Sequence, residues 1–216
     1  MTDNFANYIE LIKLNGGLPE VNTKGNLDKY YVIELIRRGK DNPDTPAANY
    51  HFRNYYIYSW ADLKKFEKEI KEICKLFRLR AYCSVNYKLM SQVSLDTLAE
   101  CARRIAAHDF KKFYSIFETC SSKYSDRANN LWVVDVDEPQ MGIMESLTDY
   151  INSMKSQFDR NVIFQMPTKS GVHLICKPFN LYDFNNSFHD FAKGIGKDIE
   201  IPDVKKNHLT LLYEDL

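Results

Sequence analysis

The chain has no surplus of either charge, with 29 Lys and Arg against 29 Asp and Glu. Proteins that coat nucleic acid through bulk electrostatics are basic overall, so that class is excluded, whereas a local basic groove is not. None of the five cysteines (Cys74, Cys83, Cys101, Cys120, Cys176) forms a Cys-x-x-Cys pair, which argues against a structural zinc site; the odd, scattered set also argues against a disulfide framework. Unpaired thiols suit a reducing cytoplasm. No apolar run approaches the roughly 20 residues of a membrane-spanning helix. The stretch 1–10, with Asp3, Asn4 and Asn7, lacks a basic-then-apolar leader pattern. There is no internal repeat and no low-complexity tract. These absences lead to the expectation of a soluble, cytoplasmic protein without membrane contact.

What is present is ample material for a core, 44% hydrophobic and 13% aromatic residues. Residues 1–27, with Gly16, Gly17, Pro19 and Gly25, are expected to be a loose lead-in or a short helix followed by loop. Residues 28–130 are expected to form an α/β module. KYYVIELI (29–36) and the alternating 50–58 predict two pairing strands, separated by the loop NPDTPAA (42–48). Ser59 is placed to cap a helix with Leu63, Phe66, Ile70, Ile73, Cys74 and Phe77 on one face. RAYCSVNYK (80–88) predicts a strand. Ser94 is expected to cap a second helix with Leu95, Leu98, Ala99, Ala102, Ile105 and Ala106 inward, and Asp109 a third through Phe110, Phe113, Tyr114 and Phe117. Residues 121–130 are expected to be a polar connector.

From residue 131 the texture changes. LWVVDVD (131–137) is apolar on both faces, as in a central sheet strand. Pro139 fits the first turn of a helix running to about Met154, with Ile143, Met144, Leu147, Tyr150, Ile151 and Met154 inward. Residues 162–166 and 172–179 predict a hairpin, 184–192 a helix, and 198–201 and 209–213 two closing strands. The class is therefore mixed α and β.

The chemistry centres on Asp135-Val136-Asp137. Residues two apart on a strand share a face, so the two carboxylates project side by side. A divalent cation relieves their repulsion and leaves coordination sites for phosphate oxygens. Solvation at a strand end is the plain alternative. Haloacid-dehalogenase-type phosphatases place Thr or Val where Pro139 stands, polymerase-β-type transferases need an upstream Gly-Ser that Ser121-Ser122 lacks, and DxD glycosyltransferases need a sugar-nucleotide lobe. A second feature is Thr168-Lys169-Ser170-Gly171-Val172-His173, at the hairpin turn. Gly lets backbone approach a ligand, and neighbouring hydroxyls can bond phosphate oxygens. A plain β-turn followed by a partly buried His is the plain alternative here.

Taken together, a DxD at a strand end followed about forty residues on by Ser-Gly-x-His resembles motifs I and II of the archaeo-eukaryotic primase superfamily. The segment 197–203 stands where that family has its third acid, with Asp203 the first choice and Glu200 its rival. The resemblance covers roughly 130–213. It implies a two-lobed fold, an RRM-like catalytic sheet at 131–216 beside the 28–130 module, with a cleft between the lobes. It further implies two Mg²⁺ or Mn²⁺ ions held by Asp135, Asp137 and the third acid, with His173 and Ser170 on nucleotide phosphates and Thr168, Lys169, Gly171, Lys177 and Asn207 around them. The implied reaction is template-directed nucleotidyl transfer, as DNA primase or polymerase. The partners would be nucleoside triphosphates, single-stranded or primed DNA, and a separate helicase or primer-binding subunit; the setting would be replication in a phage or mobile element. A catalytically degenerate binding subunit and a metal-dependent nuclease or phosphodiesterase, with His173 as acid or base, are the alternatives. Lys205 and Lys206 are further candidates for phosphate neutralisation, and Arg80, Tyr82, Asn86, Tyr87 and Lys88 for template or nucleotide contact. Arg37-Arg38 and Arg103-Arg104 are expected to be exposed.

Overall fold

A computed structural model describes the chain except residues 24, 26, 42–48, 125–129, 138–139, 141, 198 and 216 and the side chain of Lys40. The predicted loop 42–48, half of the polar connector (125–129), Pro139 and Asp198 thus lie outside the described residues, while Ser121–Lys123 of that connector end α4. In chain order the elements are β1 (Thr2–Asp3), α1 (Phe5–Leu14), β2 (Lys29–Arg37), β3 (Tyr50–Ile57), α2 (Trp60–Phe77), β4 (Arg80–Ser84), β5 (Lys88–Leu89), α3 (Met90–Ala106), α4 (Ile116–Lys123), β6 (Trp132–Asp137), α5 (Met144–Ser153), β7 (Val162–Pro167), β8 (Gly171–Cys176), α6 (Leu181–Gly194), β9 (Asp203–Lys206) and β10 (Leu209–Glu214). The fold is mixed α and β, built on two antiparallel sheets.

The first sheet runs β1-β10-β4-β2-β3, with β5 on β2; the second runs β7-β8-β6-β9. The predicted pairing of 29–36 with 50–58 is present as β2 and β3. Ser59 accepts the Asp62 backbone N–H at 3.1 Å, starting α2, whose Leu63, Ile70 and Cys74 are buried. The second sheet grows from a β-α-β-β-α-β segment whose two helices cover one face. Trp132, Val134 and Val136 of β6 pack there with Leu147 and Ile151 of α5 and Phe184 and Phe188 of α6. Val133 points the other way and joins the main core with Ile175, Met166 and residues of the first sheet. The two sheets thus share one core.

Several expectations differ from what is found. Residues 1–27 hold the short helix, and it is no loose lead-in: Phe5, Tyr8, Leu11 and Ile12 of α1 fill the main core, and β1 pairs with β10. Strand β10 lies between β1 and β4, so 131–216 does not form one sheet. Helix α3 begins at Met90, placing Ser94 inside it rather than at its cap. Its Val93 is buried, whereas Leu95, Leu98 and Ile105 are exposed, because the helix meets the sheet through Met90 and Val93 against Tyr30 and Val32. Helix α4 begins at Ile116 after a 3-10 turn at Phe113–Ser115, leaving Phe110 and Tyr114 exposed. Residues 199–202 are not strand; β9 begins at Asp203.

Candidate functional site

Strand β6 lies between β8 and β9, and the register puts His173, Asp135 and Asp203 directly opposite one another across three adjacent strands. Directly opposed residues in antiparallel strands project from the same face with Cβ atoms roughly 5 Å apart. Asp137, two residues further along β6, adds a second carboxylate to that face, opposite Gly171. On this face Val133 is sealed in the main core, while Asp135 is half-buried and Asp137 exposed. The row therefore sits where the packed interface between the sheets gives way to solvent.

Asp135 is held on both oxygens. His173 Nε2 is 3.1 Å from Oδ1, and Lys205 Nζ donates to Oδ2 at 2.5 Å. The His173 hydrogen bond and then Lys205 hold this carboxyl well below the usual carboxylate range, against the opposing effect of burial. The other ring nitrogen of His173, Nδ1, lies 2.9 Å from Oγ1 of Thr210, which is fully buried in β10. An ionised carboxylate only accepts, so Nε2 carries a proton and donates it to Asp135. Strand β10 of the first sheet thus fixes the imidazole that braces Asp135 in the second.

Beside this network a cleft of about 380 Å³ opens between the sheets, within the range of small-ligand pockets. Asp135, Asp137, His173 and Lys205 line one side, the turn residues Thr168, Lys169 and Ser170 one end, and Ile36, Arg38, Arg80, Tyr82, Leu209 and Leu211 the other side, with Asn49 and His208 also lining it. Four cationic side chains (Arg38, Arg80, Lys169, Lys205) and two carboxylates line it, while two further carboxylates, Asp41 and Glu214, stand against Arg80, with Asp41 Oδ1 also 3.9 Å from Lys169 Nζ. The lining is thus charge-balanced, with N–H donors of a kind that can meet an anionic ligand. Arg80 is already engaged, 2.7 Å from Asp41 Oδ1 and 3.2 Å from Glu214 Oε2.

Of the residues singled out from sequence, Asp135, Asp137, His173, Thr168, Lys169 and Ser170 come together at the cleft, and Asp203 joins the cross-strand row without lining it. Glu200 is exposed, outside any strand. Lys177 is not at the cleft: it follows β8, with Nζ 4.5 Å over the Phe158 ring. Nor is Asn207, which turns the chain between β9 and β10 in the left-handed region and donates to the carbonyls of Ser122 and Tyr124. Gly171 answers a different need from the one expected. A Cβ there would collide with the Val136 carbonyl oxygen and lie 3.2 Å from the Asp137 Cα, so it is β6, not a ligand, that approaches it closely.

Among the weaker candidates, Arg80 and Tyr82 line the cleft, and Arg38, expected on an exposed face, lines it too, donating to the Tyr82 hydroxyl at 3.2 Å. Asn86 instead clamps the backbone N–H and C=O of Leu131, Tyr87 stacks under Lys29, and Lys88 is buried. Lys206 lies over the Trp132 ring. Thr210 and His208 were missed. Burial, and then the neighbouring Lys205, push the His208 imidazole down. Neither residue has a sequence signal, since what matters is the return of β10 beside β8.

The donor set is that of a hard dication: three carboxylates on one face at adjacent positions. Among the described residues, no three His, Cys, Asp or Glu side chains are gathered to hold an ion as they stand, and both oxygens of Asp135 are taken by Lys205 and His173. Asp135, Asp137 and Asp203 fit such an ion by residue type and backbone placement alone. All five cysteines are free thiols, and no helix among the described residues is long and apolar enough to cross a membrane. Compared with protein-family models, curated proteins and solved structures, the chain finds no match in any of the three.

Proposed function

We propose that the chain is a nucleotidyltransferase of the primase or polymerase kind, joining nucleoside triphosphates on a single-stranded or primed DNA template in the cytoplasm. The observation that carries this reading is the row His173–Asp135–Asp203, with Asp137 beside it, at the mouth of a cleft that Arg38, Arg80 and Lys169 also line. Asp135, Asp137 and Asp203 would hold two Mg²⁺ or Mn²⁺ ions; Asp203 is preferred to Glu200 because it is the direct neighbour of Asp135. Bound there, the ions supply a lowered pKa for the attacking 3′-hydroxyl and charge compensation for the pyrophosphate leaving group. Lys169 and Ser170 at the hairpin turn are positioned to receive the triphosphate, and Arg38 lines the wall opposite. In this reading the two sheets are the two lobes of the primase-like arrangement, with β6–β9 as its RRM-like part.

The test is nucleotide incorporation on a single-stranded template, with and without primer, in Mg²⁺ or Mn²⁺. Asp135→Asn with Asp137→Asn is expected to remove it while leaving the far-ultraviolet spectrum unchanged. A folded double variant that incorporates at the wild-type rate refutes the assignment.

One observation favours a second reading, a catalytically degenerate subunit that binds nucleotide or DNA: both oxygens of Asp135 are occupied by side chains of the chain itself. Nucleotide or DNA binding without incorporation under any divalent cation identifies that case. Shortening of labelled nucleic acid would point instead to a nuclease, which the double engagement of the His173 ring disfavours.

A further inference from the structure

Lys205 lies two residues beyond Asp203 on β9 and so shares its face. Its ammonium sits against Asp135 Oδ2, with side-chain exposures of 33% and 26% for the pair. A half-buried carboxylate, Asp135, with the exposed carboxylate of Asp137 beside it at a strand end calls for a countercharge. A lysine supplies one from a flexible four-carbon stem and can retract without moving the backbone. His173 differs in kind: Thr210 anchors its Nδ1, so when Asp135 turns away the ring stays put, with its Nε2–H left unpaired toward the cleft.

Resting on the reading above, we propose that Lys205 is the resident countercation of this site, that it holds Asp135 against His173 while no divalent ion is present, and that it withdraws when one binds. Cation binding then has two consequences for the chain's own donors. Lys205 Nζ and His173 Nε2 are released together, and both line the cleft in which the turn residues Lys169 and Ser170 stand. These two donors for phosphate oxygens therefore become free only after the cation has arrived. The order of assembly follows: free nucleotide binds weakly, and the cation binds before the nucleotide or together with it.

The experiment measures Mn²⁺ binding without nucleotide by calorimetry, and thermal unfolding in chelator and in saturating Mn²⁺. Four proteins are compared: the wild type, Lys205→Met, Lys205→Arg and Asp135→Asn. Lys205→Met removes the competitor but keeps the length of the side chain. It is expected to bind Mn²⁺ roughly fivefold to tenfold more tightly than the wild type, the worth of a partly buried ion pair. It is expected to melt below the wild type in chelator, with the gap closing when Mn²⁺ saturates, because Lys205 no longer pairs with Asp135 in that state. Lys205→Arg retains the charge and is expected to stay near the wild type in both measurements. Unchanged or weaker Mn²⁺ binding by Lys205→Met, while Asp135→Asn loses it, overturns the countercation role and leaves the metal site standing. Mn²⁺ binding by none of the four proteins, or undiminished binding by Asp135→Asn, overturns the countercation role and the metal-site reading together.

Discussion

Replacing Gly171 by alanine tests how the hairpin is held against β6. The methyl carbon would meet the carbonyl oxygen of Val136, stand 3.1 Å from its carbon and lie 3.2 Å from the Cα of Asp137. All three are backbone atoms of β6, paired there with β8, so none can swing aside as a side-chain tip would. Relief requires β8 to move off β6 at the end where Asp137 and the Lys169–Ser170 turn lie. Overfilling a packed site costs about 1–3 kcal/mol, and the need to move backbone favours the upper part of that range. At about 2–4 °C per kcal/mol for a chain of this length, the melting temperature should fall by roughly 4–12 °C. The control is Gly194→Ala at the end of α6, where an added Cβ finds no atom within 4 Å and the backbone is not left-handed. It should melt at or slightly above the wild-type temperature, since alanine is the better helix former. Differential scanning fluorimetry of the three proteins decides the matter. If Gly171→Ala melts with the wild type and loses only nucleotide binding, the residue serves the ligand and the steric argument is wrong.

Two further substitutions probe buried charge. Arg80→Met leaves the buried carboxylates of Asp41 and Glu214 without their cation and should cost about 3–5 kcal/mol in urea unfolding, with Arg80→Met combined with Glu214→Gln recovering part of it; a loss under about 1 kcal/mol would refute the pairing. Lys88 is almost wholly buried, and burial lowers its pKa to about 8, so between that value and the unfolded-state value of about 10.4 the unfolded chain binds the extra proton. Relative to Lys88→Met, the wild type should therefore gain up to about 2 kcal/mol as pH rises from 8 to 10, at about 1.4 kcal/mol per unit. The comparison with the variant is needed because Cys74, Cys83 and Cys176, whose thiols are pushed up by burial, draw the stability of both proteins down above about pH 8.5, where unfolded thiols ionise. A wild-type-to-variant difference that stays flat over this window would mean that burial does not lower the Lys88 pKa.

The parts of the fold legible in the sequence are those whose signals are local. Strand β6 announces itself by being apolar on both faces, and the structure gives each face its reason: Val134 and Val136 meet α5 and α6, while Val133 meets the first sheet. The start of α2 was legible because Ser59 bonds a backbone N–H three residues on, and the β7–β8 hairpin because its turn is contiguous. The face of α3 was not. Leu95, Leu98, Ala102 and Ile105 fall on one stripe as regularly as the buried residues of α2, and periodicity cannot say which stripe a sheet will cover; Tyr30 and Val32 meet Val93 instead.

The site divides in the same way. Asp135 and Asp137 are legible because the two-residue repeat of a strand ties their directions together, and His173 because it follows the Ser170-Gly171 turn on the strand that pairs with β6. Thr210, His208 and Arg38 carry no such tie. His208 and Arg38 reach the cleft, and Thr210 the ring of His173, through a strand, or the end of one, in the other sheet, and the placement of β10 between β1 and β4 is a long-range pairing with no marker in its own residues. Lys205 lies between these cases. Its two-residue spacing from Asp203 puts it on the shared face, but only the register of β9 against β6 shows that its ammonium meets Asp135 rather than solvent. A motif can thus place the acids, whereas the charge that balances them depends on how the strands pair, and that balance is what decides how readily a cation enters.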